Sequence, residues 1–466
     1  FYVLIISFLL IGCTEDAPGS SGLNYDPMSE YTEKKYSLDE YGNIVSTKIS
    51  IDDFSPATDC RECHETHYEE WNRSMHAYSM KDPVFFRGIK DEHVNNPPHG
   101  ERFCIQCHSP PALVTENLFD IDAYATVEDF LSSNVSEVIK EGVTCDVCHS
   151  YTKLSQTVIA SDDSLTDAKY HLYPGEGIKF GSKEDPMENQ YHQSEFSRIF
   201  HRSRFCLPCH NLVVERDNNV IEAEVTITEW NRVSGAGMSE SMSCQSCHMP
   251  LKANGDHLHT FVGVDIDLTF DPIENSPLYG DVSAMLKSAV ELEFGYNNNI
   301  LPDTIQQEEI LNIPISITSM TAHSIPSGTS FSREAWLEVV IFDNNLDTVF
   351  QSGVVENSQS LNLADPTLKL FTSYLIGSQN DTTHSIMETY GIIDNNLLQG
   401  FATVPAYYNI TISNEMVGLL DMQVRMLFRA FKPKLLRDHP NPNLLENLPI
   451  FEMASIRDTV YIQNPQ

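Results

Sequence analysis

Apolar and polar residues alternate along the last third of this 466-residue chain. Such alternation is typical of strands that are buried on one face. Asp343-Asn344-Asn345 separates two of the alternating segments and predicts a tight turn. Residues 311–466 are therefore predicted to form an all-β domain, an immunoglobulin-like sandwich. Its strands are predicted over Leu311–Met320, Ala335–Phe342, Thr348–Val354, Leu368–Ile376, Ala402–Ile412 and Leu420–Ala430.

A connecting segment over residues 264–310 precedes the predicted β domain. Within it, apolar residues recur at helical spacing between Ser276 and Phe294, which predicts one helix. The positions that carry this spacing are Leu278, Val282, Met285, Leu286, Val290 and Leu292.

The amino-terminal residues carry a different pattern. Phe1–Gly12 is an apolar run too short to span a bilayer, and it resembles the end of a signal peptide. Leu10-Ile11-Gly12-Cys13 resembles the lipobox of bacterial lipoproteins, in which the cysteine is acylated, so we expect a lipid on Cys13. The alternative is a signal peptide in which Cys13 is incidental. Residues 14–50 are acidic and poor in apolar periodicity, which predicts a flexible tether.

The segment between the tether and the connector, residues 51–263, is defined by its cysteines. Apart from Cys13, all ten remaining cysteines of the chain fall into five C-x-x-C pairs, and a histidine follows each pair directly. Each group is a c-type haem attachment sequence. The five groups are Cys60, Cys63 and His64; Cys104, Cys107 and His108; Cys145, Cys148 and His149; Cys206, Cys209 and His210; and Cys244, Cys247 and His248.

The spacing of these groups has a chemical reason. Two thiols three positions apart on a helical turn can both add to the vinyl groups of a porphyrin, while the adjacent imidazole lies beneath the iron. Zinc sites and thioredoxin-like pairs are poor alternatives, because neither requires a histidine five times. We therefore expect five covalently bound haem c groups, each with a proximal histidine.

Five haem groups in so short a segment must themselves form much of its core. We expect neighbouring haems to lie close together and the polypeptide between them to form short helices and long loops. An internal repeat is also present, because Glu70-Trp71-Asn72-Arg73 recurs as Glu229-Trp230-Asn231-Arg232. The repeat suggests two related half-modules, or two tryptophans that simply cover haem edges.

Charge narrows the possible partners. The chain has 29 basic and 66 acidic side chains, a formal net charge of −37. Nucleic acid and anionic lipid headgroups are therefore poor partners.

Four short segments, some of which include haem motifs, resemble sequences of the multihaem family typified by cytochrome c554, in its larger form with a carboxyl-terminal immunoglobulin-like domain. They are the segment from Cys63-His64 through Tyr68 and Trp71 to Ser74-Met75-His76, then Gly142-Val143-Thr144-Cys145, Tyr191-His192-Gln193-Ser194, and Cys244-Gln245-Ser246-Cys247-His248-Met249-Pro250. The similarity spans roughly residues 57–340. Thr321–Gly328 also resembles the family's glycine-histidine-x-x-proline-threonine-glycine turn, with two substitutions and with its histidine retained.

The chain has seventeen histidines, and the five that belong to haem motifs leave twelve candidates for the second axial position of the irons. The resemblance implies ligand roles for His76, His192, His201 and His259. His323, in the predicted β domain, is a further candidate, and it would join the two parts of the chain through a metal bond. The histidines held in reserve are His67, His93, His99, His171 and His257, whereas His384 and His439 are predicted at the surface.

Two functions follow from the two possible states of the iron. Histidine on both faces closes the iron and is typical of electron transfer, here between redox partner proteins or to an extracellular acceptor. An open face would instead suit a haem enzyme that reduces a nitrogen or sulfur oxyanion or nitric oxide. The first is favoured, since no motif carries the lysine typical of pentahaem nitrite reductase. A docking role for the β domain remains a third possibility, and the lipid anchor predicts an exported protein at the periplasmic face of a membrane or at the outer cell surface.

Overall fold

The computed structural model describes residues 37–38, 44–45, 49–95, 100–153, 158–161, 165–166, 170–175, 177–216, 219–234, 242–355 and 359–463. Cys13 and most of the predicted tether lie outside the described residues. Residues 49–466 form one compact unit, and the amino-terminal unit contains a hairpin of β1 (Ser37–Leu38) and β2 (Ile44–Val45).

The cysteine-rich segment is built largely from short helices, as its motif density predicts. Several of them begin directly at a haem motif or run into one. They are α1 (Ala57–Arg61), α2 (Glu65–Asn72), α3 (Met75–Tyr78), α4 (Pro83–Asn95), α5 (Gly100–His108), α6 (Pro110–Val114), α7 (Val127–Leu131), α8 (Glu137–Lys140), α9 (Cys145–His149), α10 (Thr226–Ser234) and α11 (Cys244–His248).

Short strands connect some of these helices, where long loops were expected. The prediction of loops was wrong because packing around haem groups replaces the usual hydrophobic core, so the sequence between the motifs carries little of the alternation that predicts strands. A four-stranded sheet has the order β10-β9-β4-β5, and β3 pairs with β6 and β7 with β8. These strands are β3 (Tyr151–Lys153), β4 (Val158–Ser161), β5 (Leu165–Thr166), β6 (His171–Leu172), β7 (Ile178–Gly181), β8 (Gln193–Phe196), β9 (Leu212–Arg216) and β10 (Asn219–Glu224).

The last third of the chain is rich in strands, and all six predicted strands are present. They are β13 (Ile310–Ser319), β14 (Glu334–Phe342), β15 (Thr348–Ser352), β16 (Leu370–Ile376), β19 (Thr403–Thr411) and β20 (Gly418–Arg429), joined by β11 (Val290–Phe294), β12 (Thr304–Gln306), β17 (Thr382–Thr383), β18 (Gly391–Asn396) and β21 (Phe451–Gln463). Two short helices, α13 (Pro433–Arg437) and α14 (Asn443–Glu446), precede β21.

These strands form two sheets that share one hydrophobic core. The smaller sheet has the order β11-β13-β19, and the larger contains the path β12-β21-β20-β14-β16-β17, with β15 and β18 paired to β14 and β16. Ile313 and Ile315 from the smaller sheet pack in the same cluster as Val339 and Val424 from the larger one. The buried residues of the cysteine-rich segment form several smaller clusters instead.

The connector differs from its prediction. Its helix, α12 (Tyr279–Lys287), ends earlier than expected, and residues 290–294 form strand β11. The apolar residues of this strand alternate with glutamates, and this period of two is typical of a strand and not of the helix that was predicted to continue here. Within the described residues, no helix is both long and apolar enough to cross a membrane.

Candidate haem sites

The five C-x-x-C-H groups share a local backbone geometry. At the first motif the amide of His64 donates to the carbonyl of Cys60 at 2.9 Å, and at the fourth motif the amide of His210 donates to the carbonyl of Cys206 at 3.0 Å. The helical turn therefore places both thiols and the imidazole around one point. The ten described cysteines form no disulfide, so all ten sulfurs remain for porphyrin attachment.

Four of the five motif histidines face a second histidine. The ring centroids of these pairs lie 6.2–6.4 Å apart: His64 with His192, His210 with His76, His149 with His259, and His248 with His323. Two imidazoles on opposite sides of one metal ion would be separated by two metal–nitrogen bonds of about 2 Å and two ring radii of about 1.1 Å, ~6.2 Å in all. The residues present therefore fit an iron between each pair.

Hydrogen bonds to the backbone orient these rings. Nδ1 of His149 donates to the carbonyl of Phe180 at 2.6 Å, and Nδ1 of His323 donates to that of Ser324 at 3.0 Å. A ring whose Nδ1 carries the proton presents an unprotonated Nε2 for a metal. The same anchoring holds at His108, His192, His248 and His259.

Burial favours the neutral, metal-binding form of most of the eight paired imidazoles. Burial lowers the pKa of His76 to about 3, and it lowers the pKa of His259 to about 4. It lowers the pKa values of His149, His248 and His323 as well. Neutral imidazoles remain available to iron throughout the physiological pH range.

The structure does not bring His201 opposite a motif histidine. Its Nε2 lies 3.1 Å from the carbonyl of Ser182, and its ring packs near Phe196. The ligand role of His201 remains a prediction without a paired ring. His384, which was expected at the surface, has both ring nitrogens buried without a hydrogen-bond partner.

The second motif differs from the other four. Among the side chains that the structure describes, no histidine faces His108 at the separation of the other pairs. The ring of Phe85 stacks on the His108 ring instead, at 3.6 Å and 2°. His99 and the side chain of His171 lie outside the described residues.

Sulfurs of different motifs lie side by side. Cys60 contacts Cys145, Cys107 contacts Cys209, and Cys206 contacts Cys244. These contacts join the first motif to the third, the second to the fourth, and the fourth to the fifth. Porphyrins attached at these sulfurs would have adjacent edges.

One glycine explains part of the string Gly142-Val143-Thr144-Cys145. Gly142 has a φ of +76°, and a Cβ there would lie 2.0 Å from Oγ of Ser79 and 3.0 Å from the carbonyl oxygen of His108. Only glycine permits this backbone to pass so close to two haem motifs. Thr144 then caps α9, where its side chain accepts the amide of Val147.

Glu224 is a site residue that sequence reasoning missed. Its Oε1 lies 3.9 Å from Nδ1 of His210, and its Oε2 is buried without a hydrogen-bond partner. Burial raises the pKa of this carboxyl to about 7. Many acids occur in the chain, and nothing local in the sequence distinguishes this one, because it reaches His210 through the β9–β10 hairpin.

Comparison with known proteins identifies a cytochrome family over part of the chain. The family model described as cytochrome c554 and c-prime matches residues 59–150, a shorter range than the resemblance suggested. No curated protein matches the chain.

A solved structure has a similar fold. The penta-heme cytochrome c552 from Thermochromatium tepidum matches with a TM-score of 0.58 and 19% identity, over 89% of this chain and 99% of that chain. The CARDB domain of the PF1109 protein from Pyrococcus furiosus covers 38% of this chain and 86% of that chain, with 8% identity and a TM-score of 0.17, which is too low to support an argument. Residues 59–150 therefore match the cytochrome c554 and c-prime family, and this match, together with the fold shared with a penta-heme cytochrome, indicates a multihaem c-type cytochrome with a β-rich carboxyl-terminal part.

Proposed function

We propose that this chain binds five covalent haem c groups and relays electrons through them between redox partner proteins or to an extracellular acceptor. The observation that carries the proposal is the set of four histidine pairs at 6.2–6.4 Å. An iron held between two imidazoles has no free position for a substrate, so it can only gain and lose electrons. The ligands would be His64 with His192, His210 with His76, His149 with His259, and His248 with His323.

The contacts between sulfurs of different motifs support a connected relay. They join the first site to the third, and they join both the second and the fifth sites to the fourth. The third site would join the fourth through Cys148, which interacts electrostatically with Cys206 and Cys209. Electrons that enter at one end would meet a branch at the fourth haem.

The haem content tests the proposal directly. Pyridine haemochrome absorbance per mole of chain, together with the intact mass, is expected to give five haems. Changing both cysteines of one motif to alanine should remove one haem and leave the others. A wild-type count of four or fewer would contradict the proposal.

A second function is favoured by one observation, the lack of a described histidine opposite His108. If that iron is open, small ligands such as nitric oxide, nitrite or hydroxylamine could bind there, and the chain would act as a haem enzyme reducing a nitrogen or sulfur oxyanion or nitric oxide. Carbon monoxide added to the reduced protein separates the two functions. Binding at one haem per chain favours the enzyme, and no binding favours the closed relay.

Two further features of the proposal concern location and fold. Acylation of Cys13 would anchor the protein at the periplasmic face of a membrane or at the outer cell surface. Fatty-acid labelling that is lost in Cys13→Ala would support the anchor, and equal labelling of both proteins would contradict it. The common core of the two sheets supports an immunoglobulin-like sandwich for the β-rich part.

A further inference from the structure

The two copies of the Glu-Trp-Asn-Arg repeat make matching contacts at two different haem sites. Nε1 of Trp71 donates to the carbonyl of Val143 at 2.8 Å. Nε1 of Trp230 donates to the carbonyl of Met242 at 2.9 Å. Each of these carbonyls lies two residues before the first cysteine of a haem motif, the third motif and the fifth.

The glutamates of the two copies match as well. Oε2 of Glu70 accepts the backbone amide of His259 at 3.0 Å, and Oε2 of Glu229 accepts the backbone amide of Ser324 at 3.2 Å. His259 faces the histidine of the third motif, and His323, the neighbour of Ser324, faces that of the fifth. Each glutamate therefore holds the segment that supplies the opposing histidine.

From these contacts we propose that Glu70-Trp71 and Glu229-Trp230 are two copies of one positioning device. In each copy the tryptophan fixes the attachment side of a haem, and the adjacent glutamate fixes the ligand on the other side. The device rests on the ligand assignments in the proposed function.

Low solvent exposure and additional hydrogen bonds strengthen the contacts of the repeated Glu-Trp pairs. Trp71 is 5% exposed and Glu229 is 6% exposed, so both work where water does not compete. Glu229 also accepts the hydroxyl of Ser327 at 2.6 Å, and Glu70 accepts Nζ of Lys252 at 2.7 Å. A carboxylate that receives two donors is a firm anchor for a loop.

The repeat also accounts for two of the three pairs of neighbouring haem sites. Helix α2 directly follows the first motif and holds the third, and helix α10 follows the fourth motif and holds the fifth. The same two pairs of motifs have adjacent sulfurs, Cys60 with Cys145 and Cys206 with Cys244. Each copy therefore fixes one haem against its neighbour.

Paired substitutions test the device. In Glu229→Ala, we expect a high-spin signal and carbon monoxide binding at the haem of the fifth motif, with the third unchanged. In Glu70→Ala, we expect the reverse. Spectra of His323→Ala and His259→Ala identify the two haems, and Glu69→Ala is the matched control, because Glu69 is an exposed neighbour that pairs with Arg61.

Conservative variants separate positioning from general destabilisation. Glu229→Gln retains one oxygen that can accept both Ser324 and Ser327. Glu70→Gln retains an oxygen for the amide of His259, although it loses the acceptor of Lys252. Both glutamine variants should therefore restore the wild-type spectra. If an alanine variant does not fold, Ser327→Ala removes one donor to Glu229 and should produce a smaller high-spin fraction at the fifth site.

The device is overturned if the alanine variants keep wild-type spectra or if either one alters both haems equally. The ligand assignments fail separately, when His323→Ala or His259→Ala leaves the spectrum unchanged.

Discussion

Replacing His323 with alanine should leave the iron of the fifth motif without its sixth ligand, although His323 belongs to the β-rich part and not to the cysteine-rich segment. The His323 and His248 rings are 6.3 Å apart and only 20° from parallel, as expected for ligands of one iron. Alanine ends at Cβ, and the loop cannot move inward to compensate, because the amide of Ser324 is held by Glu229. One of the four paired sites should therefore lose its sixth ligand.

The size of the effect follows from the count of pairs. One quarter of the low-spin electron paramagnetic resonance intensity from the four paired sites should convert to high-spin intensity. Added imidazole should reverse the change, since the free ligand can occupy the vacated position. His439→Ala is the matched control, because His439 also lies in the β-rich part but contacts the carbonyl of Pro83.

Two results would refute this reasoning. An unchanged low-spin intensity in His323→Ala would mean that another group closes the iron of the fifth motif. An equal change in His439→Ala would mean that the effect comes from general disturbance of the β-rich part.

Three further outcomes are expected. The His76 and His210 rings are 60° apart, whereas the other pairs lie within 20–29°, so one low-spin signal should be far more anisotropic than the rest; four alike would contradict the pairing. Glu224→Gln should raise the midpoint potential of the haem between His76 and His210 at pH 9, because the wild-type carboxylate is ionised there and favours ferric iron. A redox titration that follows the electron paramagnetic resonance signal of this haem checks the shift, and an unchanged potential would mean that the carboxylate does not influence the iron. Arg429→Met should lower the free energy of unfolding by roughly 3–5 kcal/mol, because it leaves the buried Glu334 unpaired; denaturant melts measure this, and a loss below about 1 kcal/mol would contradict the role of the pair.

The haem attachment sites were predictable because their chemistry is local. Each motif fits within one helical turn, so five consecutive residues specify it completely. The strands of the β-rich part were predictable for a similar reason, since an alternating pattern such as that of β19 reports burial on one face.

The rest of the site depends on contacts between distant segments. His323 reaches His248 from 75 residues further along the chain, and Glu224 reaches His210 through a hairpin without a sequence signal. The family resemblance implied a ligand role for His201, yet its Nε2 contacts the carbonyl of Ser182. The repeat of Glu-Trp-Asn-Arg was visible in the sequence, but its contacts required the fold.

The most direct test of the relay is the injection of one electron into the fully oxidised protein by a photochemical donor. If neighbouring haems are in contact, the electron should spread among them at a rate that does not depend on protein concentration. Freeze-quenched electron paramagnetic resonance would follow the loss of each low-spin signal in turn. An electron that stays on its first haem, or that moves only as fast as molecules collide, would contradict the relay.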